Sequence, residues 1–436
     1  MAMASTYSPH PRLLLFDVTT GPRPKFYLPR LCEIYDLHIM WIPSGDAVKD
    51  LARAAQFEEW CGHTTMHGQE TATEELTAFA RNWRPEGILG FGEMTMMPVH
   101  AAASHLGLPA NAPWSIEALR NKHEQRRLLA KANIPTPRYA SVRSLAEFRH
   151  ATAHVGTSAI LKPVAGAGSM ATYRLDEATD LAELWAEACA NYATDPRGSA
   201  AQDFILEEFM ISSSPYPDPR YGAYASVESV VQRGEIQHLA VTDKLPLSPN
   251  FRENGGILPS VLAEEHIVAL LDCASTAIEA IGIVNSGVHT EIMFTAGGPR
   301  VIEVNSRIGG GVTEMLHYSC GYDSVLARAA IATGRPLPEF TPPVLSTGYY
   351  TMQAPAFDAV LSDGPTVDEL LAIPEIVDAE VPYAIGERPA WHQGTPGGTV
   401  ARVVATADSP GPLLDLYDVL KPGGLFRYTP AERPAP

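Results

Sequence analysis

The sequence predicts a mixed α/β protein in three parts. Three observations carry this: apolar runs alternating with a helical stretch up to residue 112, a strand-rich middle with hairpin signals, and a proline- and glycine-rich tail from Thr341. In the first part, Arg12 to Val18, Leu37 to Ile42 and Gly87 to Phe91 are apolar runs fit for buried strands. An alanine-rich helical stretch, Pro98 to Leu106, follows the third. Such alternation implies a parallel sheet with helices on its faces. The turn-rich segment Gly107 to Pro113 closes a first domain over 1–112.

The second part, 113–340, opens with a helix for which Ser115 is the expected cap. Ile116, Leu119, Leu128 and Leu129 supply its apolar positions, and Ile134-Pro135-Thr136-Pro137 stops it. A strand, Ala159 to Leu161, runs into Lys162-Pro163, followed by a glycine-rich turn at Ala165 to Ser169 and a helix around Asp180 to Tyr192. The strand Phe204 to Leu206 then meets Glu207-Glu208. Ala225 to Val231 and Ile236 to Val241 flank a turn at Arg233-Gly234 and read as a hairpin. After a long loop, Leu245 to Pro259, come an amphipathic helix, His266 to Ile281, and two strands, Val288 to Phe294 and Val301 to Val304. The tail, 341–436, has short strand-like runs such as Thr399 to Ala405 and reads as a small β-rich domain.

A chain of 436 residues, 45% hydrophobic and 19% charged, has ample core for two to four domains, which excludes disorder as its main state. Lys plus Arg is 32 against 50 Asp plus Glu, a formal charge of −18. That balance argues against duplex nucleic acid or an anionic membrane as partner, since both demand a basic face. A small anion can still be held by a local basic pocket. Met1 to Val18 has only a four-residue apolar run, Leu13 to Phe16, so the core of a signal peptide is missing. No stretch approaches the roughly 18 apolar residues of a membrane span. Cys32, Cys61, Cys189, Cys273 and Cys320 are scattered without metal-ligand spacing, which reads as a reduced, cytoplasmic protein with buried thiols.

The chemistry concentrates in His289-Thr290-Glu291 and Glu303-Val304-Asn305-Ser306-Arg307. Residues two apart on a strand share a face, so Glu303, Asn305 and Arg307 point one way while Ile302 and Val304 point into the core. If the preceding strand pairs alongside, Glu291 lies next to Glu303, and two carboxylates plus an amide oxygen suit Mg²⁺. Arg307 is then placed to grip a phosphoryl or carboxylate group bidentately. Taken singly, each of these residues also fits a polar solvent face; the whole row followed by Gly309-Gly310-Gly311 does not. The turn with Gly166, Gly168 and Ser169 can offer backbone N–H groups to a phosphate, with Lys162 at the strand end and Lys122 as a second cation. It lacks the lysine and spacing of a P-loop. Glu207-Glu208-Phe209-Met210 can provide the backbone groups and apolar slot an adenine needs, or be an ordinary strand end. Zinc at His289 is excluded, because no second histidine or cysteine stands at ligand spacing.

In order along the chain, these pieces resemble the ATP-grasp superfamily of carboxylate-amine ligases, over about Ser115 to Arg335. The resemblance is nearest to the L-amino acid ligase (dipeptide synthetase) branch. It rests on Asn121-Lys122, Leu161-Lys162-Pro163, Glu207-Glu208-Phe209, Ser226-Val227-Glu228, Thr242-Asp243-Lys244 and the two motifs around Glu291 and Glu303. It implies an α+β ATP-grasp core of two lobes with a lid over about 135–207, preceded by a β/α pre-ATP-grasp domain and followed by a small C-terminal domain. By the same resemblance, Lys122 and Lys162 hold ATP phosphates, the turn with Gly166, Gly168 and Ser169 closes over them, and Glu207, Glu208, Phe209 and Met210 line the adenine slot. Glu291, Glu303 and Asn305 bind Mg²⁺, for which Mn²⁺ can substitute, and Arg307 steadies the reacting carboxylate and the acyl phosphate made from it, with Lys244 a phosphate-side candidate.

The implied reaction joins a small-molecule carboxylate and an amine through an acyl phosphate, releasing ADP and phosphate, and relatives are commonly homodimers. Two departures concern the pocket. Gly222-Ala223-Tyr224 offers no acid for the ribose, leaving Glu208, Glu228 or none. Where dipeptide ligases often carry a histidine, this chain has Glu253-Asn254-Gly255-Gly256 facing the acyl pocket. Glu253 and His289 join Arg307, Gly310 and Gly311 as substrate-side residues, the glycines leaving open space for a bulkier second substrate. The rival readings are a biotin- or purine-type enzyme activating bicarbonate or a nucleotide-linked carboxylate, and a non-catalytic nucleotide-binding regulator. A dinucleotide oxidoreductase is disfavoured, because no glycine triplet follows the first strand.

Overall fold

β1 (Arg12–Asp17), β2 (Asp36–Trp41), β3 (Gly62–Thr65) and β4 (Gly87–Gly90) of the computed structural model form a parallel sheet in the order β3-β2-β1-β4. The structure describes residues 10–18, 21–195, 198 and 202–431, so nine residues of the Met1 to Val18 reading lie outside the described residues. Side chains alternate across β1. Leu13 and Leu15 pack with α1 (Pro24–Ile34) and α2 (Ala47–Glu58), whereas Leu14 and Phe16 pack with α3 (Ala72–Trp83) and α4 (Glu93–His105). Both faces are covered, which is why β1 reads as one continuous apolar run. β3, Gly-His-Thr-Thr at the sheet edge, has no such run and gives no sequence signal. The strand order reverses beside β1, opening a crevice between the carboxyl ends of β1 and β4, where ligands of such sheets bind.

α5 (Lys122–Lys131) is capped by Asn121, whose side chain accepts from the Glu124 amide. Ser115, the expected cap, lies instead in a short 3₁₀ turn and donates to the Ala112 carbonyl at 2.9 Å. A Pro at the start of that turn and a non-helical Arg120 delay the α-helix by two turns. Next, β5 (Tyr139–Val142), β6 (Ala159–Pro163), β7 (Tyr173–Leu175) and β8 (Phe204–Glu208) form an antiparallel sheet in the order β5-β8-β6-β7. Helices α6 (Leu145–Val155) and α7 (Leu181–Thr194) share its core through Phe148, Trp185 and Phe204.

The rest is built around an eight-stranded sheet. β9 (Tyr224–Gln232) and β10 (Glu235–Lys244) form the expected hairpin, with Arg233 and Gly234 both at positive φ. The expected loop from 245 to 259 contains a further strand, β11 (Gly255–Leu258). There Gly255 has φ +116°, and a Cβ would lie 1.8 Å from the Tyr349 carbonyl, so only glycine fits the pairing. α8 (Glu264–Ile281) covers one side of β12 (Asn285–Thr295) and β13 (Gly298–Asn305). After α9 (Val312–Cys320) and α10 (Ser324–Thr333), the tail returns as β14 (Ser346–Gln353), β15 (Ala359–Asp363), β16 (Ile376–Glu380), β17 (Thr399–Ala407) and β18 (Arg427–Pro430). The order β13-β12-β9-β10-β11-β14-β17-β16 joins the tail to the middle segment through β11 and β14, so the chain from 341 onward continues the sheet of the part before it.

α10 fixes the first sheet against the large one. Val325, Ala329 and Ala332 enter the core around β1, and Arg328 donates to Ser286 Oγ on β12 at 2.9 Å and to the Gly90 carbonyl of β4 at 3.1 Å. The crevice beside β1 is thereby held over β12 and β13. Among the described residues no helix is long and apolar enough to cross a membrane. All five cysteines are free, and each is half-buried rather than buried as expected, since they sit at core margins.

Candidate active site

Glu291 and Glu303 are direct cross-strand partners, and His289 faces Asn305 two pairs further along. The expected row is present with one change. A bulge opposite Glu291 and Ile292 skips a residue, so Val301 and Val304 enter the core and Ile302, expected inside, is half-exposed. β13 is an edge strand, and α5 closes it. Lys122, Gln125 and Arg126 stand at i, i+3 and i+4, one helix face. Gln125 bonds both ways with the Val304 backbone, its Oε1 accepting at 3.1 Å and its Nε2 donating at 2.8 Å. Arg126 donates to the Ile302 carbonyl at 2.5 Å, and Lys122 reaches Glu303 Oε1 at 2.9 Å and the Gly166 carbonyl at 2.7 Å.

Glu291, Glu303 and Asn305 line a cavity of about 460 Å³ that also takes in Lys244, Glu253, Arg307 and the turn Ala167–Ser169. Its roof comes from the crevice of the first sheet, at Gly21–Arg23 and Phe91–Met94. Arg307 bonds Glu93, in the first turn of α4, at 3.2 Å. Burial raises the Glu93 carboxyl against the pull of Arg307. Lys244 pairs with Glu253 at 3.0 Å; burial lowers its ammonium, but Glu253 and Glu291 together hold it above its ordinary value.

His289 sits between two acids. Its Nδ1 is 2.6 Å from Glu228 and its Nε2 is 3.1 Å from Glu291, while Ser226 Oγ also donates to Glu228. Burial would lower the imidazole, but Glu228 and Glu291 push it up to about 9, and His289 in turn holds Glu291 down to about 2 against its own burial. Both ring nitrogens are engaged, so the imidazolium, in the cavity wall, orients Glu291. Glu228 is 1% exposed behind it.

A group with a raised pKa stabilises the fold fully below its unfolded value and loses that contribution as pH climbs through the folded one. Unfolding free energy is therefore expected to decline between pH 6.5 and about 9, by at most about 1.4 kcal/mol per pH unit from this group. Urea titrations across that range check it, the decline being shallower in His289→Gln.

Among the described residues no three His, Cys, Asp or Glu side chains gather as a ready metal cage. Two carboxylates and an amide oxygen on one face nevertheless match Mg²⁺, which binds through one or two carboxylates plus phosphate oxygens and water. Each carboxylate uses one oxygen in the pairs above, Glu303 Oε1 with Lys122 and Glu291 Oε1 with His289. The donor set fits.

The expected nucleotide residues divide. Ala167–Ser169 face the cavity; the turn is docked by Thr395 N–H on the Gly168 carbonyl at 2.8 Å and by Ser169 Oγ on the Phe251 carbonyl at 2.6 Å. Lys162 and Glu207–Met210 lie outside the cavity lining. Lys162 pairs with Glu207 at 2.8 Å, and Arg126 grips the same carboxylate at 2.7 and 3.1 Å. Burial alone would raise Glu207, but Arg126 and Lys162 hold it down to about 2. Glu208 bonds Arg138, and Phe209 lies under the Arg174 guanidinium at 4.0 Å.

The glycines after Arg307 are not uniformly open. A Cβ on Gly309 would meet His289 Nδ1 at 2.4 Å and one on Gly311 the Tyr349 ring at 2.2 Å, so both serve close packing and only Gly310 faces free space. Sequence reasoning missed Glu93, Arg126, Glu314, Arg23 and Arg402. The i, i+3, i+4 spacing from Lys122 carries a signal for Arg126; nothing local points to Glu93 or Arg23, which come from a different sheet.

The ATP-grasp domain family matches residues 155–315. The chain is 28% identical over 258 residues to the alanine–anticapsin ligase of Bacillus subtilis strain 168, covering 58% of this chain and 54% of that one. It is 23% identical over 292 residues to human (Homo sapiens) carnosine synthase 1, covering 62% of this chain and 34% of that one. The chain thus spans about half the length of the alanine–anticapsin ligase and about a third of the carnosine synthase. The crystal structure of an L-amino acid ligase from Bacillus licheniformis shares the fold, with a TM-score of 0.73 at 20% identity over 98% of this chain and 100% of that one. Residues 155–315 thus match the ATP-grasp domain family, and the whole chain shares its fold with that ligase.

Proposed function

We propose that this chain is an ATP-dependent carboxylate-amine ligase that forms an amide bond between an amino acid or similar carboxylate and an amine, releasing ADP and phosphate. The observation that carries it is the cross-strand pair Glu291–Glu303 with Asn305, opening onto one cavity with Arg307. Mg²⁺-ATP supplies the phosphoryl group that turns an inert carboxylate into an acyl phosphate with a good leaving group.

The residues account for the rest. Glu291, Glu303 and Asn305 hold the metal, and Arg307 neutralises the carboxylate so that two anions can approach. Glu93 aims Arg307 across the cavity. Lys122, bound both to Glu303 and to the Gly166 carbonyl, ties the phosphate-side turn to the metal carboxylate. The turn at 166–169, docked against Thr395 and Phe251, covers the cavity and keeps water from the activated acyl group. Lys162 serves the nucleotide once Glu207 releases it, and Lys244 with Glu253 borders the acyl side.

The test is ADP and phosphate release with Mg²⁺-ATP across amino acids singly and in pairs, with mass spectrometry of the products. A mass equal to two substrates minus water is the expected result. ADP release that requires bicarbonate, or none with any carboxylate and amine, removes the amide-forming reading.

A further inference from the structure

Beyond Tyr349 the cavity ends in a second charged cluster, built from three separate parts of the chain. Arg23 descends from the loop after β1, Glu314 stands in the first turn of α9, Asp378 and Glu380 lie on β16, and Arg402 on β17. Arg23 is engaged with Asp378 and stands 3.9 Å from both Glu314 and Glu380, while Arg402 bonds Glu380 at 3.0 Å. Lys25 also reaches Asp378, but its side chain is 58% exposed. Three carboxylates therefore share two enclosed guanidiniums.

Glu314 is the one left short. It is 6% exposed and lines the cavity, yet among the described residues no donor from another side chain lies within hydrogen-bond distance of it; its nearest cation, Arg23, is held by Asp378. Its own backbone N–H is the donor it has, and a buried carboxylate so thinly satisfied is costly; a cation entering the cavity offsets that cost. Burial raises its carboxyl against the pull of its own backbone N–H and of Arg23.

Which cation is constrained by the chemistry proposed above, on which this inference rests. An amine must be neutral to attack an acyl phosphate, and a carboxylate beside an ammonium holds it protonated. The group Glu314 receives is therefore one the reaction does not consume. Tyr349 packs on Gly311, four residues after Arg307, so the cluster adjoins the place of the reacting carboxylate.

We infer that Glu314, backed by Asp378 and Glu380, forms a subsite for a non-reacting ammonium group of a substrate. Two sources share this chemistry: the α-ammonium of an amino-acid acyl donor, and a second charge on the amine partner.

Calorimetric titration of the full chain, with Mg²⁺ and a non-hydrolysable ATP analogue present, separates them. One pair of ligands is L-alanine against propionate, the other 1,5-diaminopentane against pentylamine. In one pair the ligand with the additional ammonium is expected to bind at least about tenfold more tightly, a preference that Glu314→Gln removes and Glu314→Asp largely keeps. Preference in the alanine pair assigns the subsite to the acyl donor, and preference in the diamine pair to the amine. Bound analogue certifies the fold of each variant, with Glu314→Ser used if the glutamine variant loses it. Equal binding within both pairs, or a preference that survives loss of the carboxylate, overturns the subsite. Failure of the ligase reading looks different: the wild-type chain then binds no ATP analogue or releases no ADP with any carboxylate.

Discussion

Glu303→Gln is expected to lower ADP release by on the order of a hundredfold or more while leaving the fold intact. The amide is isosteric, still accepts from Lys122, and sits on a strand whose position is set by Gln125 and Arg126 rather than by Glu303. What it lacks is the negative charge that, in the proposed mechanism, would hold a divalent cation together with Glu291. The loss should be partly recovered at raised Mg²⁺, and circular dichroism with a thermal melt should show the wild-type fold. ADP release at the wild-type rate would take Glu303 out of the metal site. It would leave Glu291, whose carboxylate His289 and Glu228 orient from behind, as the acid to test next.

Arg126→Met is expected to cost about 3–5 kcal/mol of stability, read from urea unfolding. The guanidinium is 2% exposed and bonds Glu207 twice, as well as two carbonyls of β13. Removing it leaves Glu207, 4% exposed, with Lys162 alone in a low-dielectric interior. The double variant Arg126→Met with Glu207→Gln should regain part of the loss, because it no longer buries an under-compensated charge. The acid limb follows with a definite sign. Glu207 is depressed from 4.5 to about 2, so its contribution is present above pH 4.5 and lost as pH falls towards 2. In the Arg126→Met chain that acid-dependent loss should be shallower. A single variant as stable as wild type would mean the pair adds no net stability, which buried ion pairs sometimes do not.

Much of the fold was legible because its signals are local. β1 is a continuous apolar run since both its faces are covered, and Arg233-Gly234 marks a two-residue hairpin turn since both positions need positive φ. β3 and β11 were not legible. One is a polar sheet edge, and the other begins with two glycines whose strand state depends on Tyr349 and Tyr350, nearly a hundred residues away. The bulge that turns Ile302 outward is likewise a property of the pairing with β12 and not of β13 alone.

The sequence by itself determined which groups stand in line along one strand, because a period of two places Glu303 and Asn305 on one face whatever the surroundings. It also determined that Glu291, on the strand just before, can meet them across a short hairpin. Tertiary structure alone decided what those charges do to one another. Glu93 reaches Arg307 only because α10 fixes the first sheet over the large one, and Arg23, Glu314 and Asp378 converge from three distant segments. The strength and sign of electrostatic coupling depend on distance and burial in three dimensions, and neither is encoded in any local stretch of chain.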